Sequence, residues 1–264
     1  MSRVAYVDGQ YIPHRLAAVG IENRGYQVVD GVGIDGEPAG HGSPVPPLLQ
    51  LPRPRAILFD WDNTLVDSWA TIHYALNVVM AAMEKPLWSL EETKLRVRLS
   101  LRESFPLHFG DRWEEARQIY LDAFRAIHLE QLRALPGRGD LLQKLAKAGF
   151  FLGVVSNKTG TLLRREAERI GWTALFGSVV GAGDAALDKP DPAPVMLALE
   201  PSGVTVAEGV WFVGDTGVDI LCARNSGCVP VLLGDGLLEE GSFRHEPQLV
   251  FSDGATLFDF VQGL

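Results

Sequence analysis

The chain has only two cysteines in 264 residues, Cys222 and Cys228, and neither has metal-ligand partners around it. That excludes a disulfide framework and leaves reduced, structural thiols. No apolar stretch approaches the roughly 20 residues that a membrane-spanning helix needs. The N-terminus also lacks the charged-then-apolar pattern of a signal peptide, so the expected location is cytoplasmic, with no membrane partner. Basic charge is scarce too: 24 Lys and Arg stand against 33 Asp and Glu, for a formal net charge of -9. With no basic stripe in view, nucleic acid is not an expected partner. A small anionic substrate would need positive charge supplied locally.

The most informative segment is Ala56-Ile-Leu-Phe-Asp-Trp-Asp-Asn-Thr-Leu-Val-Asp67. Ala56 to Phe59 is a short continuous apolar run, as expected for a strand covered on both faces. In open parallel sheets ligands bind beyond the carboxyl ends of the strands, where Asp60 and Asp62 fall. Residues i and i+2 of an extended segment share a side, so the two carboxylates can converge on one substrate or metal. Taken alone, such a pair is more often an Asp-rich turn capping backbone amides.

Three further places of the same kind follow. The run Phe150 to Val155 ends in Ser156-Asn157-Lys158-Thr159 before a helical pattern over 161–170, offering a hydroxyl and free helix N-terminal amides to a phosphoryl oxygen. Lys189 lies in the rigid Leu187-Asp-Lys-Pro-Asp-Pro192, just before a helix over 192–199. The run Gly209 to Val213 ends in Gly214-Asp215-Thr216-Gly217-Val218-Asp219 and enters a helix reaching about Ser226. Each piece is weak alone; their order is specific.

In that order the pieces resemble the four motifs of the haloacid dehalogenase superfamily of phosphohydrolases, over roughly residues 56 to 262. The resemblance implies a Rossmann-like α/β parallel sheet with an α-helical cap inserted after the first motif. It implies Asp60 as nucleophile forming an aspartyl-phosphate, and Asp62 as the acid for the leaving oxygen and then the base for water. Thr64, Ser156, Asn157 and Lys189 would serve the phosphate, with Thr64 supporting the loop. Mg²⁺ would be held by Asp60, Asp215 and the backbone carbonyl of Asp62, with Asp219 behind them or as a weaker ligand. Asn63 stands where the family often has glycine; Asn tolerates a left-handed backbone, so the turn is expected to survive. Trp61 is expected to pack beneath the site.

The chemistry accounts for these residue types. A carboxylate can accept a phosphoryl group covalently, but a dianionic phosphate repels it, so positive charge is needed nearby. Lys189 and a metal supply it, and oxygen-only ligands suit Mg²⁺ better than zinc. Asp62 can act as an acid near neutral pH only if its pKa is raised, as neighbouring carboxylates and burial would do.

About ninety residues separate the first two motifs, too many for a loop. Ser68 to Glu84 reads as a helix, Ser89-Leu-Glu-Glu92 as a capping-box start, and Trp113, Ala116, Tyr120, Ala123, Phe124 and Ile127 recur at helical spacing. The expected division is a core of residues 56–67 and 135–264 and a helical cap of residues 68–134. Arg96, Arg98, Arg102 and His108 are candidates for a second anionic group, although a solvated charged face explains each as well.

Residues 1–55 stand outside this scheme. Val4 to Val7 and Gln10 to Ile12 flank Asp8-Gly9, a hairpin signal, and a Gly/Pro-rich linker follows Asp30. Residues 6–31 resemble the extreme N-terminus of the D-amino-acid aminotransferase family, without its cofactor-binding lysine, so no such activity is implied. A lone hairpin is marginally stable, and the expectation is a remnant rather than a working domain. The expected activity is Mg²⁺-dependent hydrolysis of a small phosphorylated metabolite, with phosphoglycolate the leading single ester, by a monomer or homodimer. Alternatives are a phosphomutase, a phosphonate hydrolase using Lys85 or Lys94, or a non-catalytic binding protein. A binder would have no need of Asp62.

Overall fold

The computed structural model describes the backbone of residues 3–7, 10–13 and 26–30, and residues 51, 53–97, 99–234 and 247–264 in full. Six parallel strands form the centre of one sheet: β4 (Ala56–Phe59), β7 (Phe151–Thr159), β8 (Ser178–Ala182), β9 (Val210–Gly214), β10 (Val229–Leu233) and β11 (Leu249–Phe251). Their spatial order is β11-β10-β9-β4-β7-β8. The first motif's strand therefore lies between the strands that carry the second and fourth.

β4 is fully buried because both of its faces are used. Ile57 and Phe59 enter one hydrophobic cluster with Trp61, Trp211 and Leu142, while Ala56 and Leu58 enter the opposite one with Phe212 and Val155. Fully burying a side chain such as Ile, Leu or Phe contributes about 1.5–3 kcal/mol. Helices α5 (Arg138–Lys147), α6 (Gly160–Arg169), α7 (Ala193–Leu199), α8 (Gly217–Ser226) and α9 (Gly254–Gln262) cover the two faces.

Between the first and second motifs lie α1 (Trp69–Ala82), α2 (Leu90–Arg96), α3 (Leu101–Phe109) and α4 (Trp113–Gln131). Ile72, Leu76, Val79 and Met80 of α1 meet Ala116, Tyr120, Leu121 and Phe124 of α4 in a cluster separate from those of the sheet. The helical spacing expected for 113–127 is thus used for packing, and Ser89 forms its capping box with Glu92. α3 went unannounced because Pro106 lies inside it, where proline ordinarily breaks a helix. Phe105 and Phe109 nevertheless bury there. Two short strands, β5 (Val66–Asp67) and β6 (Arg133–Ala134), pair antiparallel where the chain leaves and re-enters the sheet layer.

One expectation is corrected, and one further segment is placed. The second motif's strand does not stop at Val155. It continues to Thr159 because pairing with β8 resumes after a register shift, so Ser156, Asn157 and Lys158 lie within the strand. The N-terminal segment also joins the sheet: β1 (Arg3–Val7) pairs with β2 (Gln10–Pro13) in the expected hairpin register, and β3 (Tyr26–Asp30) bridges β1 to β11. A strand edge at β11 offers backbone groups to any chain that can pair with it, which accounts for the antiparallel addition. The Asp8-Gly9 turn and the Gly/Pro-rich stretch 31–50 lie outside the described residues.

Candidate active site

β4 ends at Phe59, yet the amide of Asp60 still donates to Val213 O at 2.8 Å, so the carboxylate starts from a fixed strand end. Beyond it the chain turns sharply. Asn63 takes the left-handed conformation at φ 63°, and the amides of Leu65 and Val66 return to Trp61 O at 2.9 and 3.1 Å. The asparagine does there what glycine would do. Trp61 is fully buried, edge-on to Trp172 and Phe176, and packs beneath the site as expected.

Lys189 is the centre of charge. Its ammonium donates to Asp60 Oδ1 at 2.6 Å and to Asp219 Oδ1 at 2.7 Å, all three residues being buried. Asp219 is held at its other oxygen by the amide and hydroxyl of Thr216, at 3.0 and 2.7 Å. A side chain at position 214 would overlap Asp219, which explains the glycine of Gly214-Asp215. Asp60, Asp215 and Asp219 bring carboxylate oxygens within 4.8 Å of one another. Burial, with Asp219 and Asp62 nearby and Lys189 opposing, raises Asp60 from 3.8 to about 6. Burial, with Asp219 and Asp60, likewise pushes Asp215 well above the ordinary range. Carboxylates crowded in this way have too little positive charge for their number, and an all-oxygen set of this kind could hold a hard divalent cation.

Of the expected phosphate contacts, Ser156, Asn157 and Lys189 line the cleft and Thr64 does not. Thr64 is fully buried with its hydroxyl donating to Asp215 Oδ1 at 2.8 Å, so it has no open face for a phosphoryl oxygen and instead orients Asp215. The Asn157 amide also grips the main chain of Lys189, accepting from its N and donating to its O at 3.0 Å each. Ser156 remains at the cleft, which Asp60, Asp62, Lys189 and Asp219 also line, in a volume of about 130 Å³.

Lys158 went unrecognised in the sequence. Its ammonium lies 2.6 Å from Asp62 Oδ1 and 2.6 Å from Glu166 Oε2, and Asp62 Oδ1 also accepts from the Ser68 hydroxyl. Glu166 in turn takes Trp61 Nε1 at 2.7 Å and meets His128 Nδ1 of α4 at 2.8 Å. Despite burial, the two carboxylates hold the Lys158 pKa above its ordinary value. Despite its own burial, Glu166 is held low by Lys158 and by hydrogen bonds from His128, Lys158 and Trp61. The signal that could have found Lys158 is its spacing of two from Ser156, which puts both on one side of an extended strand. Nothing local marks Glu166 or His128.

Arg96, Arg102 and His108 do not line the cleft itself, although Arg96 and His108 line a smaller cavity that shares Ile72, Val97, Leu99, Leu101 and Tyr120 with it. Arg96 pairs with Glu92 at 3.1 Å and sits over Trp88, Arg102 pairs with Asp188 at 2.5 Å, and His108 stacks edge-on to Trp88. Arg98 lies outside the described residues. Lys85 sits over Phe109, and neither it nor Lys94 lines the cleft. Cys222 and Cys228 are both buried and free. No helix among the described residues is long and apolar enough to cross a membrane.

A family model described as haloacid dehalogenase-like hydrolase matches residues 57–232. A phosphoglycolate phosphatase of Rhodospirillum rubrum is 32% identical over 222 residues, covering 79% of this chain and 91% of that protein. Another, of Psychrobacter arcticus, is 28% identical over 218 residues, covering 78% and 94%. A haloacid dehalogenase-like hydrolase structure from Streptococcus pneumoniae superposes with a TM-score of 0.70 at 24% identity, covering 79% of this chain and 98% of that one, a likeness of fold.

Proposed function

The chain belongs to the haloacid dehalogenase-like hydrolases, and from that premise we propose that it hydrolyses a small phosphate monoester through an aspartyl-phosphate on Asp60. The observation that carries this reading is the 2.6 Å approach of Lys189 to Asp60 at a cleft that Asp62 and Ser156 also line. The names of the relatives make phosphoglycolate the first ester to assay.

In this reading an Asp60 oxygen attacks phosphorus as the bond to the ester oxygen breaks, and Asp62 gives that oxygen its proton. Asp62 then takes a proton from water, which cleaves the aspartyl-phosphate and restores Asp60. Ser156 holds a phosphoryl oxygen, and Lys189 offsets charge on both partners. The buried carboxylates of Asp60, Asp215 and Asp219 fit Mg²⁺; Asp60, Asp215 and the Asp62 carbonyl would hold it, and it would supply the positive charge that lets two anions approach. Asp219 and Thr64 act behind this set, on Lys189 and Asp215 respectively.

Residues 68–134 serve as a cap over the core of residues 56–67 and 135–264. Their separate hydrophobic cluster and the β5–β6 pair at the crossing support that division. A cap excludes water from the reaction. We place the protein in the cytoplasm.

The test is p-nitrophenyl phosphate hydrolysis with Mg²⁺, with chelator and with Asp60→Asn. Activity is expected to need metal and to vanish in the variant. Metal-independent turnover that survives the substitution would reject the nucleophile.

A further inference from the structure

The cleft has two unlike sides. Toward the sheet it is charged, with Asp60, Asp62, Lys158, Lys189 and Asp219. Toward the helical layer it is formed by Trp69, Ile72, Val97, Leu99, Leu101 and Phe124, with Tyr120 beside them and Leu162 of α6 completing the surface. No side chain that the helical layer contributes among the described residues carries a charge.

The cations near this wall are engaged elsewhere. Arg102 is paired with Asp188 and also reaches Ala186 O at 3.4 Å, while Arg96 is held over Trp88 and against Glu92. Lys158 and Lys189, which do line the cleft, each already hold two carboxylates. A second anionic group against the wall would lose water and, among the described residues that line the cleft, find no uncommitted cation; Arg96 lies in the adjoining cavity, in a half-exposed pair with Glu92. An apolar group would release water from Val97, Leu99 and Ile72 and gain by burial.

We propose that the cleft takes phosphate monoesters whose body is neutral and apolar, and that the wall of Val97, Leu99, Ile72, Trp69 and Phe124 selects for that body. This rests on the phosphoryl end being the Asp60–Lys189 side, as in the reading above. An ester with a second anionic group, phosphoglycolate included, would then turn over more slowly than an alkyl ester of like length.

The test uses the full-length protein with Mg²⁺ and two homologous series. Turnover is measured on methyl, ethyl, propyl and butyl phosphate, and binding of the matching alkylphosphonates, whose C–P bond resists hydrolysis, is measured by calorimetry. The expectation is that kcat/KM rises, and the phosphonate Kd falls, by about three- to fourfold for each added methylene. The double variant Val97→Ser, Leu99→Ser should flatten both series. Leu99 is 39% exposed whereas Val97 packs against the helical cluster, so Leu99→Ser alone is measured beside the double variant and should lower the slope of both series. A flat series in the parent protein, or a slope that the double variant leaves unchanged, overturns the proposal. Rising phosphonate affinity without any Asp60-dependent turnover would uphold the wall and reject the chemistry. Turnover with a flat series would do the reverse.

Discussion

Asn157 grips the main chain of Lys189 on both sides, taking its N–H and giving to its C=O at 3.0 Å each. One residue on β7 thereby sets where the loop before α7 presents its ammonium to Asp60. Asn157→Ala is expected to lower kcat by about ten- to a hundredfold with a smaller change in KM, because the lysine loses its placement while the phosphate keeps its own contacts. Steady-state kinetics checks this. A loss confined to KM would mean that the Asn157 side chain touches substrate after all.

Glu166 is buried and joins Lys158, Trp61 and His128 through short contacts. Glu166→Ala leaves Lys158 with half its compensation and should cost about 3–5 kcal/mol in urea unfolding. The folded-state pKa of Glu166 is depressed, so its stabilisation is complete above the unfolded carboxyl pKa and disappears as pH falls through the lower folded value. The gap between the parent protein and Glu166→Gln should therefore narrow toward acid. A gap that is independent of pH would contradict this.

Asp60 behaves in the opposite sense. Its carboxyl, raised from 3.8 to about 6 in the folded metal-free protein, takes up a proton more readily folded than unfolded. The stability it contributes is full below 3.8 and is lost as pH rises to about 6. Without metal, Asp60→Asn should melt higher than the parent protein at pH 7, and the difference should vanish near pH 3.5. A melting point lowered at pH 7 would refute the sign.

Burial drives the thiol of Cys222 up to about 12 and that of Cys228 up to about 11. Neither forms appreciable thiolate at neutral pH, so both should resist iodoacetamide in the folded protein at pH 8 and react fully in denaturant. Mass spectrometry of alkylated protein gives the count. Rapid native labelling of either thiol would show that its helix opens.

Much of the site was legible because it is built at strand ends. An apolar run that stops at a carboxylate announces where a buried strand ends, and Asp60 and Asp215 follow such runs, whereas Ser156 follows its run inside β7. The helices between the first two motifs were legible from spacing, except α3, whose Pro106 hid it. Lys158 was read only as part of the strand's end, because a lysine inside a strand pattern is ordinarily solvated.

Sequence alone determined the order of the chemistry-bearing residues and the strands and helices that carry them, because hydrophobic period and chain breaks are local properties. Tertiary structure alone decided the partners. Lys189 reaches Asp60 across 129 positions, and Lys158 reaches Asp62 across 96. Which oxygen a buried ammonium finds depends on how strands stack in the sheet, and no local pattern records that. The same holds for the cleft wall, where residues spaced for helix packing turned out also to line the space above the carboxylates.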